Sequence, residues 1–122
     1  MRGYLHREGR PSLEKAIGDR EVRIFGTPPL LAAAAASEFC RVASEAIARS
    51  GRFSAALSGG STPRATYEEI ANRADLVAWE KAHLFWADER YVPLDDSESN
   101  FRMAKEALLT SCLLYTSPSP RD

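Results

Sequence analysis

A chain of 122 residues, 44% hydrophobic and 27% charged, fits one globular domain or a piece of a larger one and is not the composition of a disordered polymer. Sixteen basic and seventeen acidic side chains leave a net charge of -1, so neither a nucleic-acid nor a membrane partner is expected. Cys40 and Cys112 lie far apart without metal-ligand spacing, and two reduced thiols in a reducing cytoplasm are the expectation.

Residues 1–20 are polar and charged, with no clear period and no apolar signal segment, and are expected to form a poorly ordered leader. VRIFG, 22–26, is a short β-prone run ending in glycine and predicts a first strand. Pro28 and Pro29 then open a helix, because proline is tolerated where the first-turn N–H has no partner. In that helix Phe39, Val42, Ala43, Ala46 and Ile47 recur with the spacing of a half-buried face, and Ser50-Gly51 supplies the stop. The weakly polar run PPLLAAAAA, 28–36, is too short to span a bilayer.

FSAALS, 53–58, predicts the next strand, and Thr62-Pro63 a second helix with Thr62 as its N-cap. Tyr67, Ile70, Ala71 and Ala74 make the buried stripe of that helix. HLFWA, 83–87, is continuously apolar, as expected of a strand covered on both faces. A polar loop, DERYVPLDDSESN, leads to a helix starting at Ser99-Asn100 and running through Phe101, Ala104 and Leu108. This alternation is the rhythm of an α/β domain with a parallel sheet and right-handed crossovers. SCLLYTSPSPRD, 111–122, breaks the rhythm where a further strand and helix are expected. It reads either as a natural flexible terminus or, the favoured expectation, as a foreign end joined to an interrupted domain.

Open parallel sheets bind ligands beyond the carboxyl ends of their strands, and two polar motifs fall there. SGGSTPR, 58–64, joins a strand to a helix N-terminus. Gly59 and Gly60 permit close backbone approach, and the first helical N–H groups are unpartnered and favour an anion. Ser58, Ser61 and Thr62 add hydroxyls and Arg64 a cation, so a phosphate monoester is a natural occupant. A tight turn followed by a capped helix explains the same residues equally well. The motif is neither a P-loop nor a dinucleotide fingerprint, and without G-x-S-x-G it makes Ser58 a poor nucleophile.

In the second motif, WADERYVPLDDSESN at 86–100, Asp88, Glu89 and Arg90 emerge from the strand. A carboxylate there can hold a sugar hydroxyl or take a proton, and a guanidinium can stabilise an oxyanion. The alternative is a solvated charge cluster paired within itself. Asp95, Asp96, Ser97 and Glu98 read mainly as a solvated turn. His6 in the leader and His83 at the base of its strand are both poorly placed for a general base at the phosphate loop.

LSGGSTPRATY followed about twenty residues later by AHLFWADERYVPLDDSESNFRMAKEALL closely resembles the 6-phosphogluconolactonase family, within the group of sugar-phosphate enzymes that includes glucosamine-6-phosphate deaminase. The resemblance runs from about Val22 to Leu109. It implies a Rossmann-like parallel sheet with flanking helices, of the sugar-phosphate isomerase/lactonase type, over residues 21–110 and cut short of the full fold. It implies hydrolysis of 6-phosphoglucono-1,5-lactone to 6-phosphogluconate in the oxidative pentose phosphate pathway, with a phosphorylated sugar lactone as partner and no metal or organic cofactor. Gly59, Gly60, Ser61 and Thr62 would form the phosphate cradle with Arg64 nearby, and Asp88 and Arg90 would lie at the lactone ring. The family's later glycine-rich segment, whose histidine is its general base, has no counterpart here, so the chain by itself is expected to be inactive. A deaminase/isomerase acting on glucosamine 6-phosphate and a non-catalytic sugar-phosphate-binding module are the rival readings.

Overall fold

The computed structural model of the chain describes residue 11 and residues 13–111. The expectations for His6, Cys112 and the 112–122 tail lie outside these residues. β1 (Leu13–Ile17) and β2 (Arg20–Ile24) form an antiparallel hairpin, with Leu13 opposite Ile24 and Ile17 opposite Arg20. Its two-residue loop begins at Gly18, whose φ of 64° suits the primed turns that match strand twist. The expected leader is therefore wrong for residues 13–20. The first predicted strand is real, but it is displaced to 20–24 and pairs within this hairpin, in a sheet separate from the parallel one.

α1 (Pro28–Ser50) starts as its prolines predict. The Thr27 hydroxyl accepts from the Leu30 N–H at 3.4 Å, and the two prolines occupy the first turn. Gly51 ends the helix with φ 82°, its N–H donating to the Ile47 carbonyl at 2.8 Å. The buried face runs through Ala32, Ala36, Cys40 and Ala43. Val42, expected in it, is 40% exposed, while Phe39, Ala46 and Ile47 flank the core. The reason is size: small alanines let α1 lie closely against α2 (Ser61–Ala71), and the seam follows them.

β3 (Phe53–Leu57) and β4 (Ala82–Trp86) pair in parallel, Phe53 beside Ala82 and Leu57 beside Trp86. α2 follows β3, and α3 (Asn100–Ala107) follows the long loop after β4. Phe53, Ala55 and Leu57 face the core with Ala82, Leu84 and Trp86, and residues of all three helices pack on that face. Ser54, Ala56, His83 and Phe85 turn the other way and are exposed, Phe85 at 57%. The expectation that β4 is covered on both sides is thus corrected: a continuous apolar run does not reveal which face is covered.

The core joins Ala36, Cys40 and Ala43 to Phe53, Leu57, Tyr67, Ile70, Trp79 and Leu108. Phe39 meets Phe53 edge-on at 5.2 Å and stacks on Trp79 at 6.2 Å, and Trp86 meets Phe101 at 5.4 Å. Trp79 donates its indole N–H to the Ala74 carbonyl at 2.7 Å, which satisfies the one polar atom of a buried ring. Burial pushes the Cys40 thiol above its ordinary pKa, the state of an unreactive core cysteine. Among the described residues no helix is long and apolar enough to cross a membrane.

Candidate functional site

The parallel register decides where the two polar motifs meet. With Leu57 beside Trp86, both strands end at the same level, and the Ala87 N–H still donates to the Leu57 carbonyl at 2.7 Å. The Ser58–Gly60 loop and the Asp88–Arg90 segment therefore leave the sheet side by side.

The first loop is shaped by its glycines and by one tyrosine. Tyr67, buried on α2, accepts at its hydroxyl from the Ser58 N–H and donates from it to the Ser58 carbonyl, both at 2.8 Å. Burial raises the phenol's pKa and the hydrogen bond from Ser58 opposes that rise; the net shift is upward, so the phenol stays protonated and able to donate. Gly60 has φ 109° and ψ 169°, a conformation that L side chains rarely adopt. It is also the N-cap of α2, and no side chain caps that helix. The expected cap at Thr62 is therefore wrong, because Gly60 sets the helix start one residue ahead of Ser61 and places Thr62 inside the first turn. The uncapped first turn leaves Ser61 and Thr62, both exposed, at the positive end of the helix dipole. Arg64 is turned elsewhere: its guanidinium pairs with Glu68 at 3.3 Å and reaches Glu106 of α3 at 3.9 Å.

In the second segment the structure separates three residues that the sequence groups together. Asp88 and Arg90 are exposed, and Arg90 pairs with Glu98 at 3.1 Å. Glu89 instead folds back onto the start of α3. Its carboxylate accepts from the N–H groups of Asn100 (2.6 Å), Phe101 (2.9 Å) and Arg90 (2.8 Å), and from the Ser99 hydroxyl at 2.9 Å. Desolvation pushes this carboxyl upward, but those four donors outweigh it and hold Glu89 below the ordinary carboxylate range. Ser99 is the predicted N-cap, accepting from the Arg102 N–H at 3.1 Å. The 95–98 stretch is the turn expected of it, with the Glu98 N–H on the Asp96 carboxylate. Asn100, 5% exposed, donates from Nδ2 to the Asp88 carbonyl at 3.1 Å.

Tyr67, Glu89 and Asn100 are the residues that sequence reasoning missed. Tyr67 reads as core and Glu89 as solvated charge, and their partners lie nine to twelve residues away. His83 stands exposed near the start of β4, at the end of the sheet away from the two loops, as expected. No cluster of His, Cys, Asp and Glu able to hold a metal occurs among the described residues.

Known proteins share these features. A 6-phosphogluconolactonase of a Nostoc species is 55% identical over 64 residues, which are 52% of this chain and 26% of that protein. The 6-phosphogluconolactonase of Mycobacterium tuberculosis is 39% identical over 88 residues, 72% of this chain and 36% of the relative. Among solved structures, a 6-phosphogluconolactonase from Shewanella baltica superposes with a TM-score of 0.65 at 34% identity, over 70% of this chain and 36% of that one. The enzyme of that name from Trypanosoma cruzi gives 0.64 at 35%, over 73% and 34%. The chain thus spans about a third or less of the length of these relatives. Residues 26–119 match one family throughout, including positions past Ser111, where the resemblance was expected to end. The chain belongs to the family of glucosamine-6-phosphate isomerases and 6-phosphogluconolactonases, with the Rossmann-like α/β fold of its lactonase members.

Proposed function

We propose that this chain supplies the substrate-holding part of a 6-phosphogluconolactonase, an enzyme that hydrolyses 6-phosphoglucono-1,5-lactone to 6-phosphogluconate. One observation carries the reading: the uncapped N-terminus of α2 and the Asp88–Arg90 segment leave adjacent parallel strands at one level. Relatives named as lactonases supply the substrate. The phosphate would sit against the Gly59–Thr62 backbone, where unpartnered N–H groups and the helix dipole favour an anion. Arg90 would leave Glu98 to face the lactone carbonyl, where a guanidinium stabilises the oxyanion formed when water adds. Asp88 would orient the ring hydroxyls. Arg64, engaged by Glu68 and Glu106, would add long-range attraction rather than direct contact. The base that activates water is assigned to the family's later histidine-bearing segment, so this chain alone would bind without turning over. A cytoplasmic setting is supported by the unpaired thiol of buried Cys40.

Calorimetric titration of the chain with 6-phosphogluconate tests the reading. Binding that is lost in Gly60→Val, with the fold retained by circular dichroism, is the expected result. Equal affinity in the two proteins would sink the cradle. Ammonia release from glucosamine 6-phosphate by a full-length relative carrying these loops would favour the isomerase side of the family instead.

A further inference from the structure

Glu89 is an exposed-loop residue with the hydrogen-bonding of a buried one. Two carboxylate oxygens take four donors, two of them backbone N–H groups of the first turn of α3. Such an arrangement fills the acceptor capacity of the group and places its charge at the positive end of a helix. Ser99 and Asn100, which it secures, are 2% and 5% exposed.

Asn100 carries the connection further. Its Nδ2 holds the Asp88 carbonyl at 3.1 Å, and its side chain lies against Gly59. A Cβ on Gly59 would stand 2.1 Å from Asn100 Oδ1 and 2.6 Å from its Cγ. Gly59 is therefore glycine because the amide of Asn100 occupies the space a side chain would need. The contact joins the phosphate-side loop to the segment that carries Asp88 and Arg90, and Glu89 fixes the residue that makes it.

We propose that Glu89 and Asn100 are positioning residues that lock the Gly59–Gly60 loop against the Asp88–Arg90 segment and so set the distance between the two ends of the sugar-phosphate site. The proposal rests on the site reading above, but the coupling itself is a property of the chain without ligand. Glu89 and Asn100 touch no substrate in it. They act through Gly59, Asp88 and Arg90.

Two measurements decide it. In amide-resolved NMR of the full 122-residue chain, Glu89→Gln and Asn100→Ala should each move the Gly59 and Gly60 signals together with those near Phe101. Movement confined to residues 89–102 in both variants would reduce Glu89 to a helix cap and overturn the coupling. The second is a double-mutant cycle that keeps Glu89 intact: Gly59→Ala should lower the melting temperature, and adding Asn100→Ala should restore part of the loss. Additive losses, or a double variant no better folded than Gly59→Ala, would overturn it even where the Glu89 variant fails to fold. Binding gives the functional readout. Glu89→Gln should weaken 6-phosphogluconate about tenfold, the loss of one charge-assisted contact, and inorganic phosphate less than about twofold. Rescue of the 6-phosphogluconate affinity by Glu89→Asp would support the carboxylate's role, and equal loss for both ligands would overturn the spacing role. A wild-type chain that binds neither ligand would defeat the proposed function and leave the NMR and melting results to decide the coupling.

Discussion

The loop after β3 and the loop after β4 start at the same level of one sheet, yet they are held by opposite means. The first has almost no side chains to work with: Gly59 makes room, Gly60 takes a backbone conformation others avoid, and Tyr67 reaches in from α2 to grip Ser58. The second is held by its own side chains, with Glu89 and Asn100 threading it to α3. A loop that must admit an anion to bare backbone N–H groups gains from having nothing in the way. A loop that must present a carboxylate and a guanidinium needs an anchor between them, and Glu89 is the residue between Asp88 and Arg90.

If that contrast is right, the first loop should fail on size and the second on charge. The largest effect is expected from Gly59→Val, which drives branched carbons into the Asn100 amide and should cost about 3 kcal/mol of stability, as overpacking does, read by urea denaturation. Glu89→Ala comes next at about 2 kcal/mol, because the Ser99 hydroxyl and the α3 N–H groups lose their acceptor.

The same carboxylate makes stability depend on pH with a definite sign. Its folded pKa lies below the unfolded value, so its contribution is complete above about pH 4.3 and is lost as pH falls through the lowered folded value. Arg90, Glu98, Asp88 and Asp96 of the same loop and Arg102 of α3 also carry charge nearby. The difference between wild type and Glu89→Gln isolates the Glu89 part, and parallel acid-denaturation profiles would contradict it.

Tyr67→Phe removes both hydrogen bonds to Ser58 and keeps the ring, so about 1 kcal/mol is expected by thermal denaturation. Arg64→Ala should change stability by less than about 0.5 kcal/mol, since its partners are exposed. A larger loss would mean that the α2–α3 surface carries more of the fold than its geometry indicates.

Helix ends were the most legible part of the sequence, because local chemistry sets them. Thr27-Pro28-Pro29, Gly51 and Ser99-Asn100 each stand where their composition places them. The start of α2 was misread because a hydroxyl at Thr62 looks like a cap, while the boundary is set by backbone angles that only Gly60 adopts. The hairpin at 13–24 escaped notice because charged residues interrupt its short alternation, although Gly18-Asp19 is a two-residue turn of the usual kind. The strand order and the two polar loops at its carboxyl end were readable from rhythm alone. The inward turn of Glu89 was not, since nothing in DER distinguishes the middle residue from its neighbours until α3 is in place.

The pair formed by Trp86 and Phe101 gives the protein a built-in optical gauge. The chain has two tryptophans: Trp79 lies inside the core, and Trp86 ends β4 against the second residue of α3. In a Trp79→Phe background the remaining indole emission would follow the seating of α3 alone. Motion at the catalytic end could then be timed by stopped-flow fluorescence without attaching a dye.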